Sequence, residues 1–216
     1  MDLNLAREQM IDQQVRTWEV LDPVVLEVMS DLPRERFVPD GYRNLAYADT
    51  PIPIGQGQTM LTPKVEGRLL QALAVRRGDR ALEVGTGSGY TAACLAALGA
   101  SVTSLEIYPE LVDSARETLA RVGVPNVELL QQDATTLESK NQYDVIAVTG
   151  SVPVYDQRYA QALKPGGRLF IVVGQAPVME AVLVTRAGDD DFIRESLFET
   201  VVPSLENVIR PAPFRF

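Results

Sequence analysis

The stretch Ala81-Leu82-Glu83-Val84-Gly85-Thr86-Gly87-Ser88-Gly89-Tyr90 holds the strongest fold signal in the chain. Its first four residues predict a buried strand, and a helix is predicted to begin near Tyr90. Three alternate glycines between a strand and a helix let the backbone turn tightly and approach a ligand closely. A dinucleotide-binding turn places its third glycine at position 90, which is Tyr90 in this chain. The spacing therefore argues against a nicotinamide oxidoreductase, while a purely structural turn stays open as an alternative.

Beyond this turn, short apolar strands alternate with helices. Strands are predicted at 81–84, 101–106, 126–131, 143–149 and 167–173, and helices at 90–98, 109–123 and 155–163. Such alternation is typical of a parallel sheet covered on both faces. Residues 180–202 instead predict a hairpin of two alternating strands around Gly188-Asp189. The sequence thus predicts an α/β fold with a doubly wound, mostly parallel seven-stranded sheet and an antiparallel C-terminal edge.

The residues before the turn at 85–89, which we call the glycine turn, do not show this alternation of strands and helices. Apolar residues at helical spacing predict a helix over 6–18, and Asp22-Pro23 supplies an N-cap and a first-turn proline for a second helix over 24–32. Residues 37–62 show no clear helix or strand pattern, and a segment of this length is more often functional than idle. A third helix is predicted from Pro63. We therefore expect residues 1–62 to form an N-terminal helical extension with an active-site loop, and residues 63–216 to form the ligand-binding domain.

Composition excludes several classes of function. The 216 residues carry a net charge of −9, which opposes unspecific attraction to nucleic acid or to anionic membranes, so neither is expected as a partner. The chain has no histidine, which removes Ser-His-Asp catalysis, His-ligated zinc and imidazole acid–base chemistry, and no metal site is expected. The single cysteine, Cys94, excludes an internal disulfide and is interpreted as a packing residue. With no visible secretory signal, the sequence favours a cytoplasmic location.

The Gly-x-Gly-x-Gly spacing of residues 85–89 resembles motif I of class I S-adenosylmethionine-dependent methyltransferases. The resemblance implies a Rossmann-like fold and S-adenosyl-L-methionine as the cofactor. The cofactor-binding residues that it implies are Glu83, Gly85, Thr86, Gly87, Ser88, Gly89, Glu106, Ile107, Asp133, Ala134 and Thr149.

Acidic residues at two predicted strand ends agree with this interpretation. Glu106 ends the second strand, twenty-one residues after Gly85, where an acidic residue accepts the two ribose hydroxyls of a nucleotide. Taken alone, Glu106 fits a solvated strand end as well. Asp133 follows the third strand, where such methyltransferases commonly have an acidic residue beside the adenine. Asp144, before the fourth strand, is interpreted as structural.

A second resemblance lies upstream of the glycine turn. Three segments resemble the protein-L-isoaspartate O-methyltransferase family. They are Leu32-Pro33-Arg34-Glu35-Arg36-Phe37-Val38-Pro39, Ala46-Tyr47-Ala48-Asp49 and Pro51-Ile52-Pro53-Ile54-Gly55-Gln56-Gly57-Gln58-Thr59. The resemblance implies a cytoplasmic protein-repair enzyme that methylates the carboxylate of isoaspartyl residues in damaged proteins or peptides. A carboxylate acceptor is already ionised at neutral pH, so this chemistry suits a chain without histidine. Residues 51–62 are the candidate lid.

The chain departs from that family at one position. An ungapped alignment places Leu61 on the serine regarded as catalytic in the family, and Leu61 cannot donate a hydrogen bond. Thr59 and Thr62 are the candidate catalytic hydroxyls, the second through a one-residue shift of the loop. Thr62 is also the natural N-cap of the helix that begins at Pro63, and its hydroxyl is expected to cap that helix. Two alternatives to isoaspartyl methylation therefore remain: another acceptor with the same cofactor, and a cofactor-binding protein with weak or no isoaspartyl activity.

Overall fold

The computed structural model describes residues 2–211. Helix α1 (Leu3–Met10) begins at the N-cap Asp2 and continues through a π-helical turn (Ile11–Val15) and a 3₁₀ turn (Arg16–Trp18). Helix α2 (Pro23–Asp31) begins at Asp22, whose carboxylate accepts hydrogen bonds from the backbone N–H groups of the first turn. Both predicted N-terminal helices are confirmed, although the first one starts three residues earlier than the sequence indicates.

The segment that precedes the third helix is more regular than expected. Residues 40–45 form a 3₁₀ helix, and β1 (Ile52–Gly55) pairs with β2 (Gln58–Met60) in an antiparallel hairpin. Residues 37–62 thus contain helix and strand, although their sequence shows no clear pattern of either. Gln56 and Gly57 both have positive φ, which is the backbone that a two-residue hairpin turn requires. The prolines at 51 and 53 obscured this pattern, because proline is disfavoured inside most strands.

The predicted alternation of strands and helices is confirmed. The remaining elements are α3 (Pro63–Leu73), β3 (Arg80–Val84), α4 (Tyr90–Ala97), β4 (Ser101–Glu106), α5 (Pro109–Val122), β5 (Val127–Gln131), β6 (Tyr143–Val152), α6 (Gln157–Gln161), β7 (Leu163–Gln175), β8 (Val178–Arg186) and β9 (Phe192–Glu199). Seven strands form one sheet in the order β5-β4-β3-β6-β7-β8-β9. The first five of these are mutually parallel, whereas β7–β8 and β8–β9 pair in antiparallel fashion. The sheet is thus mostly parallel with an antiparallel C-terminal edge, as predicted.

Successive side chains of each central strand enter two different cores. On one face, Ala81 and Val145 join the buried residues of the N-terminal segment, α3 and α4, which together form what we call the first core. On the other face, Leu82 and Ile146 pack with α6. This alternation is the period-two pattern of a strand buried on both sides. Segments on both sides of residue 62 contribute to the first core. The predicted division at that residue stays a prediction.

Three smaller predictions concern single side chains. Cys94 is fully buried in the first core, which confirms its packing role. Asp144 accepts hydrogen bonds from Lys164 Nζ at 2.7 Å and from the Arg80 backbone at 2.8 Å, which confirms a structural role. Within residues 2–211, every helix is too short or too polar to traverse a lipid bilayer.

Candidate active site

A cleft opens at the carboxyl ends of β3, β4, β5 and β6, where ligands bind in open α/β sheets. We call it the larger cleft; together with its open mouth it contains about 670 Å³ of empty space. Eight of the residues predicted for the site line it: Thr59, Gly85, Gly87, Glu106, Ile107, Asp133, Ala134 and Thr149. The structure therefore brings together residues that lie up to ninety positions apart in sequence.

Gly85 begins the turn between β3 and α4 and has no space for a side chain. Its φ is +93°, and a Cβ atom built there would lie 2.6 Å from Thr149 Oγ1. The Thr149 hydroxyl donates to the carbonyl oxygen of Gly85 at 2.6 Å, with the carbonyl oxygen of Val84 at 3.0 Å. Both the left-handed backbone and the close approach of β6 thus require glycine at this position.

Glu106 holds the edge of the cleft through backbone hydrogen bonds. Its Oε2 accepts from the N–H of Gly87 at 2.9 Å, and its Oε1 accepts from the N–H of Tyr108 at 3.1 Å. The side chain is buried, which excludes the solvated strand end that the sequence left open. Each carboxylate oxygen has two lone pairs, so each retains one acceptor site for a further donor.

Asp133 is held in place by three donors. Its Oδ1 accepts from the backbone N–H and the hydroxyl of Thr135, at 2.8 and 2.7 Å, and its Oδ2 accepts from the Asn207 amide at 2.8 Å. Burial opposes ionisation of Asp133, but these hydrogen bonds outweigh it and lower the pKa of the carboxyl group below its ordinary value. Asp133 is therefore an ionised acceptor at neutral pH.

A C-terminal strap, residues 203–207, forms a wall of the larger cleft that the sequence did not predict. Ser151 donates its backbone N–H to Pro203, and Leu205 donates its own to Ser151, so the strap runs alongside β6. Leu205 lines the cleft, and the Tyr108 hydroxyl donates to Glu206 Oε1 at 2.9 Å. The sequence offers little signal for these residues, because their position depends on a contact with a strand some fifty residues earlier.

A smaller cleft lies on the other side of the glycine turn. Its lining includes Ile54, Thr59, Gly85, Gly87 and Thr149, which also line the larger cleft. Its remaining lining residues are Met60, Leu61, Glu66, Thr86, Ser88, Tyr90 and Thr91. The two clefts are thus adjacent, and the five shared residues border both of them.

A buried arginine fixes the backbone beside the smaller cleft. Arg34 is fully buried and donates from Nη2 to the carbonyl oxygen of Leu61 at 2.6 Å and from Nε to that of Ala46 at 2.9 Å. Its guanidinium also lies over the Tyr90 ring, 4.7 Å from the ring centroid. A buried charge with fixed partners is costly to move, so Arg34 rigidly places the loop that carries Leu61.

The predicted residues around Leu61 are placed unequally. Leu61 is buried against the smaller cleft, and Thr59 lines both clefts. Thr62 lines neither cleft, and its hydroxyl is buried without a hydrogen-bond partner among residues 2–211. The backbone of Thr62 occupies the N-cap position of α3, but the side chain makes no capping hydrogen bond. The expectation that its hydroxyl caps the helix is therefore wrong.

Two further predicted residues lie behind the clefts. Glu83 is fully buried and accepts a hydrogen bond from Ser104, whose Oγ lies 2.5 Å from Thr86 Oγ1 in the glycine turn. Burial raises the pKa of Glu83 well above its ordinary value, even though the hydrogen bond from Ser104 lowers it. Gly89 faces Ala115 and Leu119 of α5. Both residues support the turn from behind and line neither cleft.

Comparisons with known proteins agree with this geometry. The family model for protein-L-isoaspartate(D-aspartate) O-methyltransferase (PCMT) matches residues 5–207. The protein-L-isoaspartate O-methyltransferase of Methanospirillum hungatei is 40% identical over 185 residues, which are 85% of this chain and 86% of that protein. The corresponding protein of Methanoculleus marisnigri is 42% identical over 184 residues, 84% of each chain.

A solved structure supports the fold. A protein-L-isoaspartate O-methyltransferase of Plasmodium falciparum, crystallised in complex with S-adenosyl-L-homocysteine, superposes with a TM-score of 0.81 at 21% identity, covering 93% of this chain and 98% of the other. The sheet with its antiparallel edge is thus the fold of that protein as well. With the family model matching most of its length and relatives at about 40% identity, this chain belongs to the protein-L-isoaspartate(D-aspartate) O-methyltransferase family.

Proposed function

We propose that this chain is an S-adenosyl-L-methionine-dependent O-methyltransferase that methylates the carboxylate of isoaspartyl residues in damaged proteins or peptides. The observation that carries the proposal is the pair of clefts that share one wall at the glycine turn, within a chain of this family. The cofactor is assigned to the larger cleft and the acceptor side chain to the smaller one. No nucleic acid or membrane partner is proposed, and the proposed location is the cytoplasm.

The residues of the larger cleft fit the cofactor in both shape and charge. Glu106 keeps one acceptor site on each oxygen, which matches two ribose hydroxyls, and Asp133 is an ionised acceptor suited to the adenine amino group. S-adenosyl-L-methionine carries a positive sulfonium. The lining contains three carboxylates, those of Glu106, Asp133 and Glu206, and none of its described members is Lys or Arg. When bound, the cofactor would supply the methyl group.

The residues of the chain then act mainly by positioning. An acceptor carboxylate is ionised above about pH 4, so no general base is needed. The rate depends on holding the carboxylate oxygen in line with the methyl group, and such positioning is worth up to about 7–11 kcal/mol in favourable intramolecular reactions. We assign positioning of the acceptor to Thr59, because it lines both clefts, and give Thr62 no direct contact. Apolar lining residues such as Ile54 exclude water from the path between the clefts.

The proposal is tested by methyl transfer to a matched pair of peptides. The purified protein is incubated with S-adenosyl-L-methionine carrying a radiolabelled methyl group, together with an isoaspartyl peptide or its normal aspartyl twin. We expect base-labile label in the isoaspartyl peptide alone, because the family to which this chain belongs is named for isoaspartyl methylation. Cofactor binding confirmed by calorimetry without transfer to either peptide would contradict isoaspartyl activity and would favour another acceptor. Equal labelling of both peptides would contradict the proposed specificity.

A further inference from the structure

Glu66 is a buried carboxyl group in the wall of the smaller cleft. It lies in the first turn of α3, is 1% exposed, and is the only Asp, Glu, Lys or Arg among the cleft's described lining residues. Nothing in the sequence pattern singled it out, because an acidic residue in a first helical turn is ordinarily a solvated one. A buried carboxyl beside a cleft is uncommon and calls for a partner or a role.

Only one oxygen of Glu66 accepts a hydrogen bond from residues 2–211. The Thr91 hydroxyl donates to Oε1 at 2.7 Å. The cation nearest to Oε2 is Arg34 Nη1 at 3.9 Å, which is beyond hydrogen-bond distance, and this Nη1 has no hydrogen-bond partner among residues 2–211. Burial raises the pKa of Glu66, and this effect exceeds the opposing effects of Arg34 and Thr91. Burial thus shifts the equilibrium of Glu66 toward its neutral acid relative to a solvent-exposed glutamate.

An anionic acceptor makes the charge of Glu66 decisive. If Glu66 were ionised, it would repel the isoaspartyl carboxylate, since Arg34, the cation 3.9 Å from Glu66, is not among the described lining residues of the cleft. As a neutral acid it has one O–H donor, which is the capability of a serine hydroxyl. A carboxylic acid kept neutral by an apolar site so that it donates a hydrogen bond is known in ketosteroid isomerase.

We propose that neutral Glu66 donates a hydrogen bond from Oε2 to the acceptor carboxylate and so supplies the donor that Leu61 lacks. This inference rests on the proposed function. In the transfer step, one oxygen of the acceptor carboxylate forms a bond to the methyl carbon, the carbon–sulfur bond breaks, and its electron pair stays on sulfur. Glu66 keeps its proton throughout, holding the second acceptor oxygen so that the first one points at the methyl group.

The charged and titratable groups that face Glu66 come from three elements. They are Arg34 from the 3₁₀ turn at 34–36, Glu83 from β3, and Tyr90 and Cys94 from α4. Burial raises the pKa of Glu83, Tyr90 and Cys94, which favours their neutral forms, and Arg34 is the neighbouring cation. Because the folded pKa of Glu66 is raised, its donor is present below that pKa and is lost as pH rises through it.

The first test compares Glu66→Gln and Glu66→Leu with the wild type. Gln keeps an N–H donor at every pH, whereas Leu has none. We expect Glu66→Leu to lower kcat by about 10²–10³-fold, the usual effect of one lost donor in a preorganised site. We expect Glu66→Gln to stay within about tenfold, with kcat independent of pH, whereas the wild-type rate should fall as pH rises through the folded pKa of Glu66. Glu117→Gln, an exposed change on α5, is the matched control.

A second test uses Leu61→Ser, which restores the family hydroxyl. Leu61→Ser should raise the rate or leave it unchanged, and the loss caused by Glu66→Leu should shrink at least tenfold in the Leu61→Ser background, because the two donors are redundant. Equal losses in both backgrounds would overturn the inference. An unchanged rate in Glu66→Leu together with a large loss of rate in Thr59→Val would also overturn the inference, because the donor would then be Thr59.

A third measurement does not depend on turnover. The infrared difference spectrum of wild type minus Glu66→Gln should contain the carbonyl stretch of a protonated carboxyl at neutral pH; its absence would overturn the inference even if the enzyme is active. If Glu66→Leu fails to fold, the pH profile of Glu66→Gln and this band still decide the question. A wild type that binds the cofactor but methylates no isoaspartyl peptide would instead contradict the proposed function, while the band would still report the state of Glu66.

Discussion

Glu106 shows how a single carboxylate can join backbone structure to ligand binding. It accepts one N–H from the glycine turn and one from the start of the α5 segment, so both loops that border the proposed ribose position depend on it. Neutral glutamine has the same volume but only one accepting oxygen. Its NH₂ group would face either the Gly87 N–H or the Tyr108 N–H, and two donors would meet.

We therefore expect Glu106→Gln to weaken binding of S-adenosyl-L-homocysteine by about 10–100-fold, since hydrogen bonds to a charged group contribute about 1.5–3 kcal/mol. Titration calorimetry measures the change. Glu110→Gln, an exposed glutamate four residues later, is the control and should bind as the wild type does. Equal affinity of the two variants would refute the ribose assignment.

At the residue scale, the candidate site residues at the ends of strands could be predicted from the sequence. Glu106 and Asp133 end neighbouring parallel strands, so their convergence follows from the fold alone. Thr62 shows the limit, because whether a hydroxyl caps a helix depends on its rotamer, which the sequence does not specify. Glu66 could not be predicted, since its burial comes from Arg34 and α4 rather than from any pattern in α3.

At the scale of elements, the turn between β3 and α4 is fixed by close approach to β6. Gly85 combines a positive φ with a neighbouring hydroxyl only 2.6 Å from the place that a Cβ atom would occupy, whereas Gly123, after α5, has φ +77° and open space around it. Replacing Gly123 therefore tests backbone strain alone, whereas replacing Gly85 tests backbone strain together with a steric conflict.

Gly123→Ala should destabilise the protein by about 1–2 kcal/mol, the cost of a left-handed alanine. Gly85→Ala should cost a further 1–3 kcal/mol or so, as forced overpacking typically does. Chemical denaturation of the two variants gives the comparison. If both lose the same stability, the contact with Thr149 is not what requires glycine at position 85.

The elements that the sequence missed are those defined by distant partners. The β1–β2 hairpin is too short to be stable alone and is held by Ile52 and Met60, which are buried in the first core. The strap at 203–207 has no regular pattern and takes its place from hydrogen bonds to β6. The parallel strands, in contrast, could be predicted from the sequence, because a strand that is buried on both faces is a run of apolar residues.

For the whole molecule, buried carboxyl groups make stability depend on pH. The folded pKa of Glu83 is raised by burial, so the native state holds a proton that the unfolded state releases above about pH 4.3. Its contribution is present below that value and is lost as pH rises toward the folded pKa. Asp144 has the opposite sign: although burial opposes ionisation, Lys164 and Arg80 lower its pKa.

We expect the free energy of unfolding of Glu83→Gln, relative to wild type, to rise as pH increases above about 4.3, by up to about 1.4 kcal/mol for each unit over which only the native state is protonated. Asp144→Asn should be destabilising at neutral pH, and its deficit should close in acid. Urea titrations at several pH values measure both. A pH-independent difference for Glu83→Gln would mean that Glu83 is ionised in the native state.

The β1–β2 hairpin borders both clefts, since Ile54 and Thr59 line each of them. Any ligand that shifts this ribbon in one cleft must alter the shape of the other. The affinities of cofactor and damaged peptide are then thermodynamically linked, and the factor by which either one tightens the other is the same in both directions. The β1–β2 hairpin would then be the element through which methyl donor and acceptor change each other's affinity.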